Sequence, residues 1–184
     1  MGSISKDSVT EHLKLYTGYV KHFNLINTII INAKPEPGDE NLAYAKSETA
    51  RRLAFEWNGI KNHEYYFEQL VGGGVSITPE SKLCQKITEQ FVSFELWLEA
   101  FVLCTKTRGI GWAVLWRDRE TGLLINSWVD EQHLGILQNC DVLYLLDCWE
   151  HSYVQDYKAT GRASYVTDYV ANTNWGVVEK RFNP

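Results

Sequence analysis

VLYLLDCWEHSYVQDY, residues 142–157, decides how this chain is read. An apolar run, Val142 to Leu146, delivers Asp147, Glu150 and His151 around Trp149. Charged groups at the end of a buried run are costly unless they neutralise one another or hold something else. His151 follows Asp147 at i+4, so in a tight strand-to-helix turn both side chains reach one point. That pairing is a common half of a metal site and also a frequent chance meeting at surfaces. The other half has to come from elsewhere in the chain.

The chain holds 5 histidines: His12, His22, His63, His133 and His151. Residues 8–31 read as a helix, with Val9, Leu13, Tyr16, Val20, Phe23 and Asn27 recurring at steps of three and four. Residues 33–39, with Pro35, Pro37 and Gly38, break it, and a second helix runs from about 40 to 70, with Asn58-Gly59 as a candidate bend. Long helices joined by a short turn form an antiparallel hairpin. His12, early in the first, then lies beside His63, late in the second and followed by Tyr65-Tyr66-Phe67. Three imidazoles and a carboxylate suit iron, manganese or zinc, and of these zinc does not change oxidation state. His22 reads as a surface histidine, and His133 belongs to a polar loop that returns toward the strand ends.

Val71-Gly72-Gly73-Gly74-Val75 is the best lobe boundary, dividing the chain into 1–71 and 72–184. A helix is expected from Thr78-Pro79-Glu80, with Thr78 as cap, and another from Ser93. Residues 111–117 and 123–129 form two strands around the turn 118–122, and 142–147 forms a third. Two short helices, 161–172 and 175–182, close the chain. The fold class is α+β: a long antiparallel helical hairpin, then a lobe with a three-stranded antiparallel sheet. Composition is ordinary globular usage, 45% hydrophobic and 22% charged over 184 residues. A net charge of −5 without a basic tract argues against nucleic acid. The apolar stretch 25–33 is too short to span a bilayer, and the start shows no signal peptide, with Met1-Gly2-Ser3 a candidate expression scar. Cys84, Cys104, Cys140 and Cys148 fit no zinc motif and read as reduced thiols of a cytoplasmic protein.

Asp147-Cys148-Trp149-Glu150-His151 matches D-x-W-E-H, the signature of the iron/manganese superoxide dismutases, and the chain resembles that family from end to end. Gly109-Ile110-Gly111-Trp112-Ala113 is similar to its G-S-G-W-x-W segment, Asn62-His63 to its N-H-x-x-F/Y-W segment, and Asn174-Trp175 to its terminal N-W. The resemblance implies one manganese or iron ion held by His12, His63, Asp147 and His151, with superoxide anion as substrate. It implies that Gln132, or His133 one register away, holds solvent beside the metal, since the alternative position is Gly59. That arrangement leans toward manganese. Tyr19 is expected to gate the channel and donate to Gln132, and Trp112, Trp116 and Trp149 to form an apolar cage. Arg162 would guide the anion inward. Glu150 would cross a two-fold axis to the ligand histidine of a second subunit, making a homodimer.

Two departures go together. The family's H-x3-H-x3-Y reads here as His12-x3-Tyr16-x2-Tyr19, and the second tyrosine after W-E-H is replaced by Val154. In the family those two residues bond across the dimer, so both partners of one hydrogen bond have changed. Two other readings stand beside the enzyme: a catalytically silent relative retained for its shape, and a zinc hydrolase, which lacks an evident general base.

Overall fold

The computed structural model describes residues 4–32, 34 and 37–182. Met1-Gly2-Ser3 and, within the expected break, Ala33, Pro35 and Glu36 lie outside them. Helix α1, Lys6–Asn32, packs against α2, Glu40–Glu68, and the ring pairs His12–Phe67, Tyr19–His63 and Phe23–Trp57 show the antiparallel run. Asp39 caps α2 by accepting from Leu42 N, after Gly38 at φ +86°. The buried face of α2 is Phe55, Glu56, Gly59, Ile60, Asn62, His63 and Tyr66, and the helix runs unbroken through the expected bend.

The inner stripe of α1 differs from the one that hydrophobicity selects. Ser8, His12 and Ile26 are the buried positions, while Leu13 is 44% exposed. Two of its three members are polar, and one of them, His12, faces the site.

After α2, Gly72–Val75 is pinned rather than loose. Val75 N donates to Thr173 O, Trp175 N to Val75 O, and Asn174 N to Gln69 O. Ser81, rather than Thr78, caps helix α3, Lys82–Phe91, by accepting from Cys84 N, and Thr78 O instead closes a turn onto Ser81 N. Ser93 caps α4, Phe94–Cys104, as expected.

Strands β1 (Gly111–Asp118), β2 (Leu124–Asp130) and β3 (Cys140–Asp147) form an antiparallel sheet in the order β2-β1-β3. Register places Trp112 opposite Asp147 on one side and Val129 on the other. Gly111 is required there, since a Cβ would run into Val129 O. The chain then makes a 3-10 turn at Glu150–Ser152 and a short helix α5, Val154–Tyr157, which together give the expected strand-to-helix turn its form. Helices α6 (Arg162–Asn172) and α7 (Trp175–Phe182) follow.

One continuous core runs from Tyr66 and Leu70 of α2 through Trp97 and Phe101 of α4 and the sheet to Tyr165, Tyr169 and Trp175. All four cysteines are free. No described helix is long and apolar enough to cross a membrane.

Candidate metal centre

Each of four segments brings one group to the same point. His12 comes from the first half of α1, His63 from the last third of α2, Asp147 from the end of β3 and His151 from the 3-10 turn behind it. One ligand-type atom from each lies within 4.8 Å of all the others. Asp147 and His63 are fully buried, and His12 is 2% exposed. Asp147 Oδ1 accepts from Trp149 N at 2.7 Å, which turns Oδ2 toward the histidines. Oδ2 is 3.1 Å from His12 Nε2, 3.2 Å from His151 Nε2 and 3.9 Å from His63 Nε2.

The ring of His63 is fixed by its own helix. Its Nδ1 lies 2.6 Å from Gly59 O, which can only accept, so Nδ1 carries the proton and Nε2 presents a lone pair. Nε2 of His63 is buried without a hydrogen-bond partner among the described residues, and Nε2 of His12, buried beside it, faces Asp147 Oδ2. An orphaned buried acceptor is expensive, and one that converges with a second buried imidazole on a carboxylate fits a cation of iron or manganese type. Burial drives the affinity of His63 for a proton down to about 4 and lowers that of His12 as well, so both stay neutral. Burial pushes Asp147 upward, but His151 and His12 outweigh it and hold the carboxyl well below the usual range. Neutral imidazoles with an ionised carboxylate are the protonation states that metal ligation needs.

Aromatic rings close this pocket. Tyr66 and Phe67 lie 4.9 and 5.0 Å from the His12 ring, Trp112 and Tyr19 each 5.1 Å from His63, and Trp149 stacks on His151 at 5.5 Å. Gln132, fully buried, ties two of them together. Trp112 Nε1 donates to Gln132 Oε1 at 3.0 Å, and Gln132 Nε2 donates to Tyr19 Oη at 3.0 Å. An indole N–H only donates, so it fixes which way the amide points. The bond to Tyr19 therefore runs opposite to the expected direction: Tyr19 accepts, and its own proton is left for another partner. Asn62 Nδ2 holds the Gln132 carbonyl at 3.1 Å.

The comparisons agree with this geometry. Residues 79–181 match the family described as iron/manganese superoxide dismutases, C-terminal domain. The chain is 30% identical over 186 residues to a superoxide dismutase [Fe] of Methanothermobacter thermautotrophicus, covering 97% of this chain and 86% of that one. It is 31% identical over 187 residues to a superoxide dismutase [Fe] of Aquifex aeolicus, covering 97% and 84%. A superoxide dismutase [Mn] of Corynebacterium diphtheriae is 34% identical over 136 residues, 72% of this chain and 66% of that one. The chain belongs to the iron/manganese superoxide dismutase family.

Members of this family use iron or manganese, as the relatives' names state. The His133 ring lies 5.7 Å from that of Phe55, in a loop that Glu131 enters at φ +50°. Trp116 lies far along β1 from the pocket, opposite Ile125 and Val142, and donates to Ser127 Oγ. It serves the core, and the described cage is made by Trp112 and Trp149 with Tyr19, Tyr66 and Phe67. Arg162 is spent on four carbonyls: those of Thr105, Thr107, Gly109 and Cys148. Glu150 is exposed. Tyr16 lies one turn from His12 and donates to Glu64 Oε1 at 3.2 Å, inside its own chain. His22 is exposed, near Glu56.

Sequence reasoning passes over Glu56, Phe55 and Arg52. Glu56 stands seven residues before His63 and Arg52 eleven, both on the helical face that carries the histidine. That spacing is the available signal.

Proposed function

We propose that this chain is an active superoxide dismutase, with His12, His63, Asp147 and His151 holding a single iron or manganese ion. Two superoxide anions and two protons become one dioxygen and one hydrogen peroxide. When bound, the ion supplies the one-electron couple that takes an electron from the first anion and returns it to the second. One carboxylate among three neutral imidazoles cancels a single charge of the cation, which leaves the pocket attractive to an anion.

The residues around the ion have distinct tasks. Gln132 offers its amide to Tyr19 and is locked by Trp112, so it is the residue in position to orient solvent beside the ion. Gly59 leaves that task to Gln132 and leaves room for Tyr19, because a Cβ there would lie 2.5 Å from the tyrosine ring. Burial, with Asp147 and Glu56 nearby, pushes the Tyr19 hydroxyl well above its ordinary value, so it stays protonated and keeps an O–H to donate in a hydrogen bond. Trp149 and Phe67 exclude bulk water.

The single observation that carries this reading is the convergence of His12 Nε2 and His63 Nε2, both buried, on Asp147 Oδ2 within the aromatic shell. A silent scaffold would not need to keep four ligating side chains at these positions, and a zinc hydrolase would need a general base, which is not evident among the described residues. The chain is further assigned to a cytoplasmic homodimer that docks through Glu150, with a division between 1–71 and 72–184. The glycine at 59 and glutamine at 132 favour manganese. Superoxide decay measured on separately iron-loaded and manganese-loaded protein tests the function: metal-dependent acceleration is expected in at least one form, and its absence in both overturns the reading.

A further inference from the structure

Two arginines are candidates for drawing an anion toward the pocket, and their surroundings decide between them. Arg162 donates to four carbonyls from two segments, at 2.7 to 3.3 Å. A guanidinium so engaged is a strut that ties the end of α4 to the residue after Asp147. It has few donors left for a passing anion.

Arg52 is placed differently. Beside Tyr19 a cleft of about 320 Å³ opens between α1 and α2, and Arg52, Phe55, Glu56, His22 and Lys14 line it. Glu56 lies under its rim, 5% exposed, with Oε2 lacking a hydrogen-bond partner among the described residues. Its other oxygen is 3.3 Å from Arg52 Nε, and His22 Nδ1 is 4.0 Å from Oε2. The Arg52 guanidinium also stacks 3.4 Å above the Phe55 ring. A salt bridge and a cation–π contact therefore hold one side chain from two sides. Its η nitrogens make no hydrogen bond among the described residues. Lys14, the other cation, is committed to Glu11 at 2.5 Å on an open surface.

The arrangement has a direction. The Glu56 side chain is 7% exposed and the Arg52 side chain 49%, so the pair turns its positive end to solvent. An approaching anion meets the guanidinium before it meets the carboxylate. On a chain of net charge −5, such local focusing sets the encounter rate.

We propose that Arg52, anchored by Glu56 and stacked on Phe55, is the positioned cation that captures superoxide at the mouth of the cleft over Tyr19, a task Arg162 does not perform. The proposal rests on the dismutase reading. Glu56 acts through Arg52 and is a positioning residue.

The test compares Arg52→Gln, Arg52→Lys, Arg162→Gln and the neighbouring Arg51→Gln, which makes the same charge change on an arginine paired with Glu48. Two quantities are read on metal-loaded protein: kcat/KM for superoxide against ionic strength, and azide affinity from the metal's absorption spectrum. Arg52→Gln is expected to lower kcat/KM about threefold at low salt, with the gap closing above roughly 0.3 M. Azide binding should weaken by a similar factor. Arg52→Lys should recover part of both, and Arg51→Gln should match the parent. The proposal is overturned if Arg52→Gln tracks Arg51→Gln in both readouts, or if the salt-dependent loss appears in Arg162→Gln alone. A parent protein that binds metal without turnover overturns the dismutase reading instead, and azide affinity then decides the role of Arg52 by itself.

Discussion

Gly59 serves two neighbours at once: its carbonyl receives Nδ1–H of His63 at 2.6 Å, and its missing side chain makes room for the ring of Tyr19. A methyl group here would meet three ring carbons between 2.5 and 2.8 Å away. Overpacking of that kind costs on the order of 1–3 kcal/mol. Gly59→Ala is therefore expected to lower stability by that amount and to displace Tyr19 from Gln132, while the backbone carbonyl still orients His63. Metal content should stay near the parent value as turnover falls. Thermal denaturation with metal analysis checks both halves, and a Gly59→Ala protein with parental turnover contradicts the packing argument.

Trp112 fixes the direction of the Gln132 amide, so Trp112→Phe removes the only donor to Oε1 found among the described residues. A buried acceptor left alone costs about 1–3 kcal/mol, and the amide becomes free to flip. Lower stability is expected, together with a fall in turnover larger than any fall in metal content. Equal losses of both would show that the tryptophan acts only through packing.

Acid should weaken the metal-free protein in a defined window. Burial holds His63 at about 4, against an ordinary value of 6.5. Between those values the unfolded chain binds more protons than the folded one, so stability rises with pH there and is lost as pH falls. The loss reaches about 3 kcal/mol for His63 at 1.36 kcal/mol per pH unit. His12 is lowered in the same sense, and Asp147, held below the carboxylate range, extends the loss into stronger acid. Urea midpoints that stay constant from about pH 6.5 to 4.5 would contradict this.

Arg162→Ala is expected to be among the more damaging surface-adjacent substitutions. It strands carbonyls of Thr105, Thr107, Gly109 and Cys148 together. Charge-assisted bonds contribute about 1.5–3 kcal/mol each, and they are not additive. A drop of roughly 3 kcal/mol or more in chemical denaturation is anticipated, and a change below about 0.5 kcal/mol, typical of an open surface, would show that the strut is dispensable.

These residues also show what the chain's letters disclose. The helical hairpin is legible because its periodicity is long and its breaker is dense in proline and glycine. The meeting of His12 with His63 follows from the shortness of that turn, and the pairing of Asp147 with His151 from their spacing. What could not be read depends on three-dimensional closure. The four carbonyls around Arg162 come from residues 105, 107, 109 and 148, and no local pattern announces them. The placing of Gln132 between Trp112 and Tyr19, and of His133 against Phe55, goes with a positive φ at Glu131, and a glutamate does not advertise that conformation. The buried stripe of α1 is displaced from its hydrophobic pattern because hydrophobicity cannot see a polar face that is buried for the sake of a site. Ser81 takes the cap from Thr78 because both fit the rule and only the path of the following turn chooses.

The central claim is that four distant side chains grip one ion. An anomalous-difference X-ray map of the metal-loaded protein, recorded at the iron and manganese edges, tests it most directly. The account predicts a single strong peak within bonding distance of His12 Nε2, His63 Nε2, His151 Nε2 and Asp147 Oδ2. A pocket without a peak, or a peak that leaves His12 or His63 unligated, would contradict it.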